Sequence, residues 1–383
     1  MTPIQSSEAA VTDALFRDFL NKVQIKTDLS EWPLAQSTEQ NLLCYDGKQV
    51  EELCTSPADR DTLKNEWCRA LSSGPGVIAI KSAFASTASI DRATDLFSQI
   101  IEEEKSHSSG GDHFAKPGAN DRVWNAVQKH CLRDPENFAS YYANESIALV
   151  CEAWLGDGYQ LTAQINRVNP GGAAQVPHRD YHLGFMPLER MQKFPTHVHS
   201  LSPALTLQGA VAHCDMPLET GPTRYLPYSQ LFVHGYIHFN QSEYQKYFKQ
   251  HHTQLPLKKG DAAFFNPAVM HGAGSNTTRD QYRMANLLQV SSAFGRAMEA
   301  VDRTAMVKAL YPVLLNTDSA RHTKVIAASA EGYAFPTNLD TDPPVGGMSP
   351  ATQADLMTQA LKENWPGEKF NDAIDEQFAK TRH

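Results

Sequence analysis

The sequence lacks the features that mark several specialised classes of protein. Its six cysteines include no CxxC pair and no regular spacing, so neither structural zinc nor a disulfide framework is indicated. No uninterrupted apolar run reaches the roughly 18 residues of a membrane-spanning helix. No block of Lys and Arg stands out and the net charge is −9, which disfavours nucleic acid or an anionic membrane as a partner. We therefore expect neither nucleic acid nor a membrane as a partner.

Catalytic and targeting motifs of common kinds are also missing. Neither the GxSxG motif of serine hydrolases nor a P-loop occurs. The first residues show no basic segment followed by an apolar one, so we expect no secretory signal and a cytoplasmic location. The 383 residues are 41% hydrophobic and 20% charged, which is enough apolar material for a large core. The composition predicts an ordinary globular protein.

The middle of the chain has the pattern of a β protein. Strand candidates lie at residues 161–168, 205–214, 262–265 and 283–290. Turns rich in Gly, Pro and Asn separate them, and this spacing predicts a sandwich or barrel rather than βαβ units. We therefore predict a mainly β fold with flanking helices (α+β).

Helical patterns flank the β region at residues 8–23, 134–154 and 303–315. A last helix is expected to begin with Ser349 as N-cap and Pro350 at its first position, and to end before Pro366.

The chain shows neither an internal repeat nor a low-complexity linker. We predict one domain, residues 1–383. It consists of an N-terminal helical extension (1–75), a β core with a helical insert (76–293) and a C-terminal helical extension (294–383).

Two histidines and one carboxylate form the most informative pattern. His178 and Asp180 are two residues apart, and alternate residues of an extended strand share a face, so both could bind one ion. His271 follows a segment with the pattern of a turn, a buried strand and another turn, and precedes Gly272. Two imidazoles and one carboxylate are the ligand set of non-haem Fe(II) oxygenases. We predict His178, Asp180 and His271 as metal ligands and catalytic centre, and His182, on the same strand face, as a further ligand or a pocket residue.

An arginine after the second histidine is a candidate for binding an anion. Arg283 begins an alternating strand whose face is otherwise small or apolar, and guanidinium favours bidentate pairing with a carboxylate. Arg279 is the alternative, although its polar turn favours a solvated surface position. Further pocket candidates are Gln164 and Arg167 on the strand before the HxD triplet, and Gln175 just before it.

Three ordered segments resemble the phytanoyl-CoA dioxygenase (PhyH-like) family of Fe(II)/2-oxoglutarate oxygenases. Residues 169–180 are similar to the family's glycine turn leading to HxD, and residues 219–230 to its central Gly-Pro segment, which adds Thr223 to the pocket candidates. Residues 271–276, followed by Arg283, are similar to its distal histidine motif. Residues 77–84 resemble its first strand.

The resemblance implies a double-stranded β-helix (jelly-roll, cupin-like) core with iron bound by His178, Asp180 and His271. It also implies that Arg283 binds the C5 carboxylate of 2-oxoglutarate, with O2 as the second co-substrate. The expected activity is oxidation of an unactivated C–H bond of a small molecule, by hydroxylation or by desaturation or ring closure, in specialised or amino-acid-related metabolism.

Two more segments are candidates for a lid over the pocket, and one alternative activity stays open. The lid candidates are residues 112–124 and 335–338, the second of which adds Phe335 to the pocket candidates. The alternative is a metal-binding β-barrel without oxygenase activity, such as a cupin-like isomerase, a hydrolase or a binding protein.

Overall fold

Buried strands form the centre of the structure, a computed structural model that describes residues 3–107 and 118–381. The strands are β1 (Ser37–Glu39), β2 (Leu42–Asp46), β3 (Val77–Lys81), β4 (Asn120–Val123), β5 (Gln160–Val168), β6 (Thr206–Ala212), β7 (Thr223–Leu226), β8 (Thr253–Gln254), β9 (Ala262–Phe265), β10 (Met270–Ala273) and β11 (Arg283–Ser291). The four strands expected from the sequence are confirmed as β5, β6, β9 and β11.

Helices surround these strands. They are α1 (Pro3–Val23), α2 (Gly47–Leu53), α3 (Pro57–Ser72), α4 (Ala88–His107), α5 (Ala126–Arg133), α6 (Pro135–Tyr142), α7 (Glu145–Leu155), α8 (Leu188–Met191), α9 (Thr196–Ala204), α10 (Gly235–His238), α11 (Ser242–His251), α12 (Arg303–Leu314), α13 (His322–Ser329), α14 (Gln353–Lys362) and α15 (Gly367–Lys380). The predicted α+β fold is confirmed, but the expected predominance of β structure is not, because helices contain more of the described residues than strands. Within these residues, no helix has both the length and the apolar character needed to cross a membrane.

The strands form two sheets. The larger has the order β1-β2-β3-β9-β6-β11-β5-β4, and the smaller has the order β10-β7-β8. The long strand β11 lies between β5 and β6, antiparallel to both. Most other pairs are antiparallel too, and β2 with β3 is parallel.

Alternate residues of the central strands face opposite sides of the large sheet. On β11, Met284, Leu288 and Val290 join the main core beneath the helices. Arg283 and Gln289, on the other face, line a cavity between the two sheets. The period of two along β11 therefore separates the side chains that line the cavity from those that join the core.

The segment containing the HxD triplet is not a strand, which corrects the sequence prediction. His178 makes one isolated bridge, to His271, and Pro177 before it has no N–H to extend a ladder. After Asp180 the chain turns through Tyr181 (φ 64°) and His182 (φ 38°), a region unfavourable for both residue types. The bridge to His271 therefore places His178, and the turn that follows places Asp180. Alternation along one strand does not bring these two ligands together.

Two helix predictions also need correction. The region 134–154 is two helices, because Asn144 interrupts it and caps α7 with its side chain. The predicted cap at Ser349 and Pro350 is wrong, because α14 starts later, with a capping box between Thr352 and Asp355. The helices α8–α11 within the β region and α15 near the end were not expected from the sequence.

Candidate metal centre

The backbone brings the two candidate histidine ligands together. The N–H of His178 donates to the carbonyl of His271 at 2.8 Å, and the N–H of His271 donates to that of His178 at 2.9 Å. Asp180 is held by its own N–H, which donates to the carbonyl of Pro267 at 3.1 Å. These three backbone hydrogen bonds hold His178, Asp180 and His271 close together, although they come from two distant parts of the sequence.

The side chains of these residues converge on one point. The Nε2 atoms of His178 and His271 each lie 3.4 Å from a different oxygen of Asp180. One ligand atom from each of the three residues lies within 4.8 Å of the others. The predicted triad is thus brought together, at the separations that ligands of one ion require.

The imidazoles are oriented for binding a metal through Nε2. Nδ1 of His178 lies 2.8 Å from the carbonyl of Val176, and Nδ1 of His271 lies 2.8 Å from that of Val269. Because a carbonyl only accepts, each Nδ1 carries the proton and donates it. Nε2 then keeps a lone pair that faces the shared point.

The electrostatics favour an ionised carboxylate at this point. Burial alone would raise the pKa of Asp180, but hydrogen bonds and charge from His178 and His271 hold that pKa well below its usual value. Burial, together with His178, lowers the pKa of His271 and so favours its neutral form. Burial acts on His178 in the same direction, but Asp180 outweighs it and raises the pKa of His178. Ionised carboxylate and neutral imidazole are the forms that bind metals.

Gln208 on β6 contacts the carboxylate from the large sheet. Its Nε2 donates to Oδ2 of Asp180 at 2.5 Å and lies 3.3 Å from Oε1 of Gln289. The Tyr236 hydroxyl donates to the backbone carbonyl of Asp180 at 2.9 Å. The bond from Gln208 restricts the rotation of the carboxylate, and the bond from Tyr236 holds the backbone of Asp180.

The three residues line a cavity of about 510 Å³. Of the predicted pocket residues, Gln164, Gln175 and Thr223 also line it. Such a volume is within the range of small-molecule sites in proteins.

Arg283 reaches the same cavity from the start of β11. Its side chain is buried, its Nη1 donates to the carbonyl of Thr220 at 3.1 Å, and burial lowers its pKa to about 10. No carboxylate in residues 3–107 or 118–381 pairs with it, so an anionic ligand would satisfy a buried cation. Arg279 is exposed in its turn and does not line the cavity.

Other predicted pocket residues lie outside the cavity lining. Arg167 pairs with Asp121 at 2.8 Å and with Glu102 at 3.3 Å. Asn166, the residue before it on β5, lines the cavity. Because consecutive strand residues face opposite sides, Arg167 faces away from the cavity, contrary to the prediction that it is a pocket residue.

Two further candidates have neighbours elsewhere. Nδ1 of His182 lies 3.5 Å from the hydroxyl of Ser202, and the ring of Phe335 packs against Tyr333 at 5.9 Å between centroids. Neither lines the cavity. Of the first lid candidate, residues 112–117 lie outside the described residues.

Among the cavity residues that the sequence prediction missed are Arg122, Asn166 and Gln208. Asn166 and Gln208 share the faces of their strands with other cavity residues, so alternation offered a signal for both. Arg122 had none, because β4 is short and has no alternating apolar pattern.

Comparison with known proteins adds a family assignment. A sequence model described as phytanoyl-CoA dioxygenase (PhyH) matches residues 58–285, more than half of the chain. A comparison with curated proteins gave no match.

The solved structures that resemble this chain are distant in sequence. The epimerase SnoN of nogalamycin biosynthesis is 17% identical over 62% of this chain and 82% of its own, with a TM-score of 0.41. The carbocyclase SnoK is 19% identical over 59% and 83%, with a TM-score of 0.42. HygX from Streptomyces hygroscopicus, with nickel and 2-oxoglutarate bound, is 15% identical over 60% and 87%, with a TM-score of 0.39.

The family model covers every segment that forms the candidate centre, from β3 to Arg283. The chain belongs to the phytanoyl-CoA dioxygenase family of Fe(II)- and 2-oxoglutarate-dependent oxygenases.

Proposed function

We propose that His178, Asp180 and His271 bind Fe(II), that Arg283 binds the distal carboxylate of 2-oxoglutarate, and that the substrate is a small molecule held in the same cavity. The observation that carries this proposal is the convergence of three ligand atoms and a buried guanidinium on one cavity. The family supplies the reaction class, since this chain is an Fe(II)/2-oxoglutarate-dependent dioxygenase.

The donor set fits Fe(II) chemically. Two neutral imidazoles and one carboxylate occupy one face of an octahedral ion and leave the opposite face open. The buried Arg283 supplies the positive charge that a dicarboxylate co-substrate requires at its far end. With O2 and 2-oxoglutarate, bound Fe(II) supplies the oxidising power to cleave an unactivated C–H bond, with succinate and CO2 as co-products.

The residues of this chain would bind the metal, orient the side chains that hold it and exclude water. The carbonyls of Val176 and Val269 hold the imidazoles in the binding tautomer, and Gln208 fixes one oxygen of Asp180. Apolar side chains of the cavity, including Leu255 and Phe265, keep bulk water from the reacting groups. We expect the outcome of the reaction, whether hydroxylation, desaturation or ring closure, to depend on how this wall holds the substrate.

A double-stranded β-helix is the architecture we propose for the core. The antiparallel pairing of β5, β6, β9 and β11 in one sheet and of β7 and β10 in the other supports it. The cavity between the sheets is the usual place for a small-molecule site in such a fold.

The test measures co-substrate binding and turnover separately. Protein loaded with Ni(II), which does not support oxidation, is titrated with 2-oxoglutarate by calorimetry. Protein loaded with Fe(II) is then supplied with 2-oxoglutarate and O2, and succinate is measured. We expect binding in the first experiment and succinate formation in the second.

Asp180→Ala is expected to abolish metal binding and both signals, whereas Asp95→Ala, an exposed carboxylate on α4, should leave them unchanged. A protein that binds iron but neither binds nor consumes 2-oxoglutarate would contradict the proposal and favour a metal-binding β-barrel of another activity.

A further inference from the structure

Carboxamide side chains line the cavity on two sides, and three of them have no part in the proposed metal and co-substrate sites. Gln164 and Asn166 lie on β5, in the wall that the large sheet forms. Gln175 lies on the other side, where its backbone N–H donates to the carbonyl of Ala273 on β10 at 3.0 Å. Gln164 is 1% exposed and Asn166 is 7% exposed. The cavity is therefore flanked by neutral polar groups.

The orientation of two of these amides is set by groups that can only donate. Nη1 of Arg122 donates to Oε1 of Gln164 at 3.0 Å, and the N–H of Ala273 donates to Oε1 of Gln175 at 3.0 Å. Because neither a guanidinium nor a backbone N–H can accept, the oxygen of each amide must face this donor. The Nε2 group of each amide is then the part that remains for a ligand.

The remaining polar atoms of the three amides lack a good partner in the described part of the chain. Nε2 of Gln164 is directed at Sδ of Met298 at 3.4 Å, and a thioether is a weak acceptor. Nε2 of Gln175 has no acceptor there, and Oδ1 of Asn166 is buried without a donor. Because buried polar groups without partners are unfavourable, a ligand with hydrogen-bonding oxygens would stabilise this site.

An amide at the start of the same strand is satisfied by the protein itself. Nε2 of Gln160 donates to the carbonyls of Ser292 and Gly295, each at 3.0 Å. Gln160 does not line the cavity. Along β5, incomplete hydrogen bonding is therefore found where the amide faces the cavity.

The positions of the amides indicate a ligand with several oxygens. A strand rises about 3.3 Å per residue and packed sheets lie about 10 Å apart, so Gln164 and Asn166 are about 7 Å apart along β5, and Gln175 lies across the cavity from them. A single carboxylate, with both oxygens on one carbon, matches one of these positions. Hydroxyl groups both donate and accept, so they fit an amide in either orientation, and burying them costs less than burying a charge.

We propose that the substrate is a neutral, polyhydroxylated small molecule whose hydroxyl groups bond to the amides of Gln164, Asn166 and Gln175. This inference rests on the proposed function and names the substrate class of the same site. Apolar residues of the same lining, such as Phe185 and Leu287, contact the carbon skeleton between the hydroxyl groups. A fatty acyl chain would leave the three amides without partners.

The test uses protein loaded with Ni(II) and saturated with 2-oxoglutarate, so that the co-substrate position is filled. The probes are phenyl and hexyl glucosides, the tetrahydropyranyl ethers that have the same ring without hydroxyl groups, and the glucuronides that carry a carboxylate. Calorimetry gives the dissociation constant of each probe. We expect the glucoside of at least one series to bind about tenfold or more tightly than both of its analogues.

Variants assign this preference to the amides. Gln164→Met and Asn166→Leu each remove one amide and keep a similar volume, so each should weaken glucoside binding about tenfold and leave binding of the ether unchanged. Retained 2-oxoglutarate binding, measured first, shows that a variant is folded. Gln359→Met is the matched control, because this amide is exposed on α14 and does not line the cavity, and it should change neither affinity.

The inference is overturned if no glucoside binds, if an ether or a glucuronide binds as tightly as its glucoside, or if both amide variants keep the wild-type preference. It is also overturned if the variants weaken 2-oxoglutarate binding as much as glucoside binding, because the amides would then serve the co-substrate. Failure of the proposed function is recognised separately, since the wild-type protein would then not bind 2-oxoglutarate.

Discussion

At the scale of single residues, the Asp180 carboxylate organises the proposed metal centre. It contacts the Nε2 atoms of His178 and His271 through different oxygens, and Gln208 donates to one of these oxygens. A group that holds a metal ligand in position without touching the metal increases the affinity for the metal, because the ligand is already oriented before the metal binds. Gln208 is such a positioning residue.

We expect Gln208→Leu to lower metal affinity about 10- to 100-fold without unfolding the protein, because leucine fills a similar volume but cannot donate to Asp180. Titration with Ni(II) by calorimetry measures the effect. Gln289→Leu is the control, since Gln289 contacts Gln208 and, in the part of the chain that the structure describes, makes no hydrogen bond to Asp180. An equal loss in both variants would mean that the amide pair only packs the sheet.

Arg283 and Arg279 can be distinguished by a pair of substitutions. We expect Arg283→Met to weaken 2-oxoglutarate binding by about 2 kcal/mol or more, roughly 30-fold in Kd, because a buried charge partner of the carboxylate is lost. Arg279→Met should change it little, because this side chain is exposed outside the cavity. Binding to Ni(II)-loaded protein is the measurement, and the reverse ranking would assign the co-substrate to Arg279.

At the scale of elements, helices α4–α6 bury two histidines against the large sheet. Nε2 of His130 lies 2.7 Å from Oδ1 of Asn137. His213, just after β6, lies 2.9 Å from the Thr94 hydroxyl and 3.0 Å from the Tyr141 hydroxyl. Burial lowers the pKa of His130 to about 4 and that of His213 to about 3, so both are neutral in the folded protein.

These histidines make the packing of α4–α6 sensitive to acid. Below about pH 6.5 the unfolded chain takes up a proton at each histidine, while the folded chain does so only near its lowered pKa. We therefore expect the free energy of unfolding to fall as pH falls, by about 1.4 kcal/mol per pH unit per histidine. The decline should begin near pH 6.5 and end at about pH 4 and about pH 3 for the two groups.

Urea unfolding at several pH values between about 7 and about 5 checks this dependence. His130→Gln should reduce the slope by one proton, since glutamine can still donate to Asn137 and does not titrate. His197→Gln, at an exposed position of α9, should leave the slope unchanged. A wild-type slope retained in His130→Gln would mean that His130 is protonated in the folded state.

The elements that could be predicted from the sequence are those whose residues alternate regularly between the two faces of a strand. Strands β5 and β11 alternate over nine residues each, so their positions followed from the pattern, as did the cavity-facing Gln164 and Arg283. On β5, however, Asn166 was missed and Arg167 was placed on the wrong face. The HxD segment could not be placed correctly, because its geometry depends on a bridge to His271, about 90 residues later, and on two unfavourable φ angles. Arg122 could not be found because its strand is defined by pairing with β5 rather than by its own sequence.

At the scale of the whole molecule, the C-terminal helices share a core with the β sheet. Leu310 and Tyr311 of α12 and Phe370 of α15 belong to the same buried cluster as Leu161 and Leu288 of the central strands. The family match ends at residue 285, so these helices lie beyond it. A shared core predicts that the extension and the β core unfold together, which is the single domain expected from the sequence.

Phe370→Ala tests whether this core is one cooperative unit. The Phe370 ring is fully buried and stacks on Tyr311 with 4.0 Å between centroids, so we expect the free energy of unfolding to fall by about 3–5 kcal/mol. Denaturation is followed by helix content and by loss of bound Ni(II), and both transitions should move together. Phe378→Ala on the same helix, at a side chain 40% exposed, should have a much smaller effect. If the helix signal moves and the metal signal does not, α12–α15 form a separate unit, because a cavity in their packing then leaves the β core unaffected.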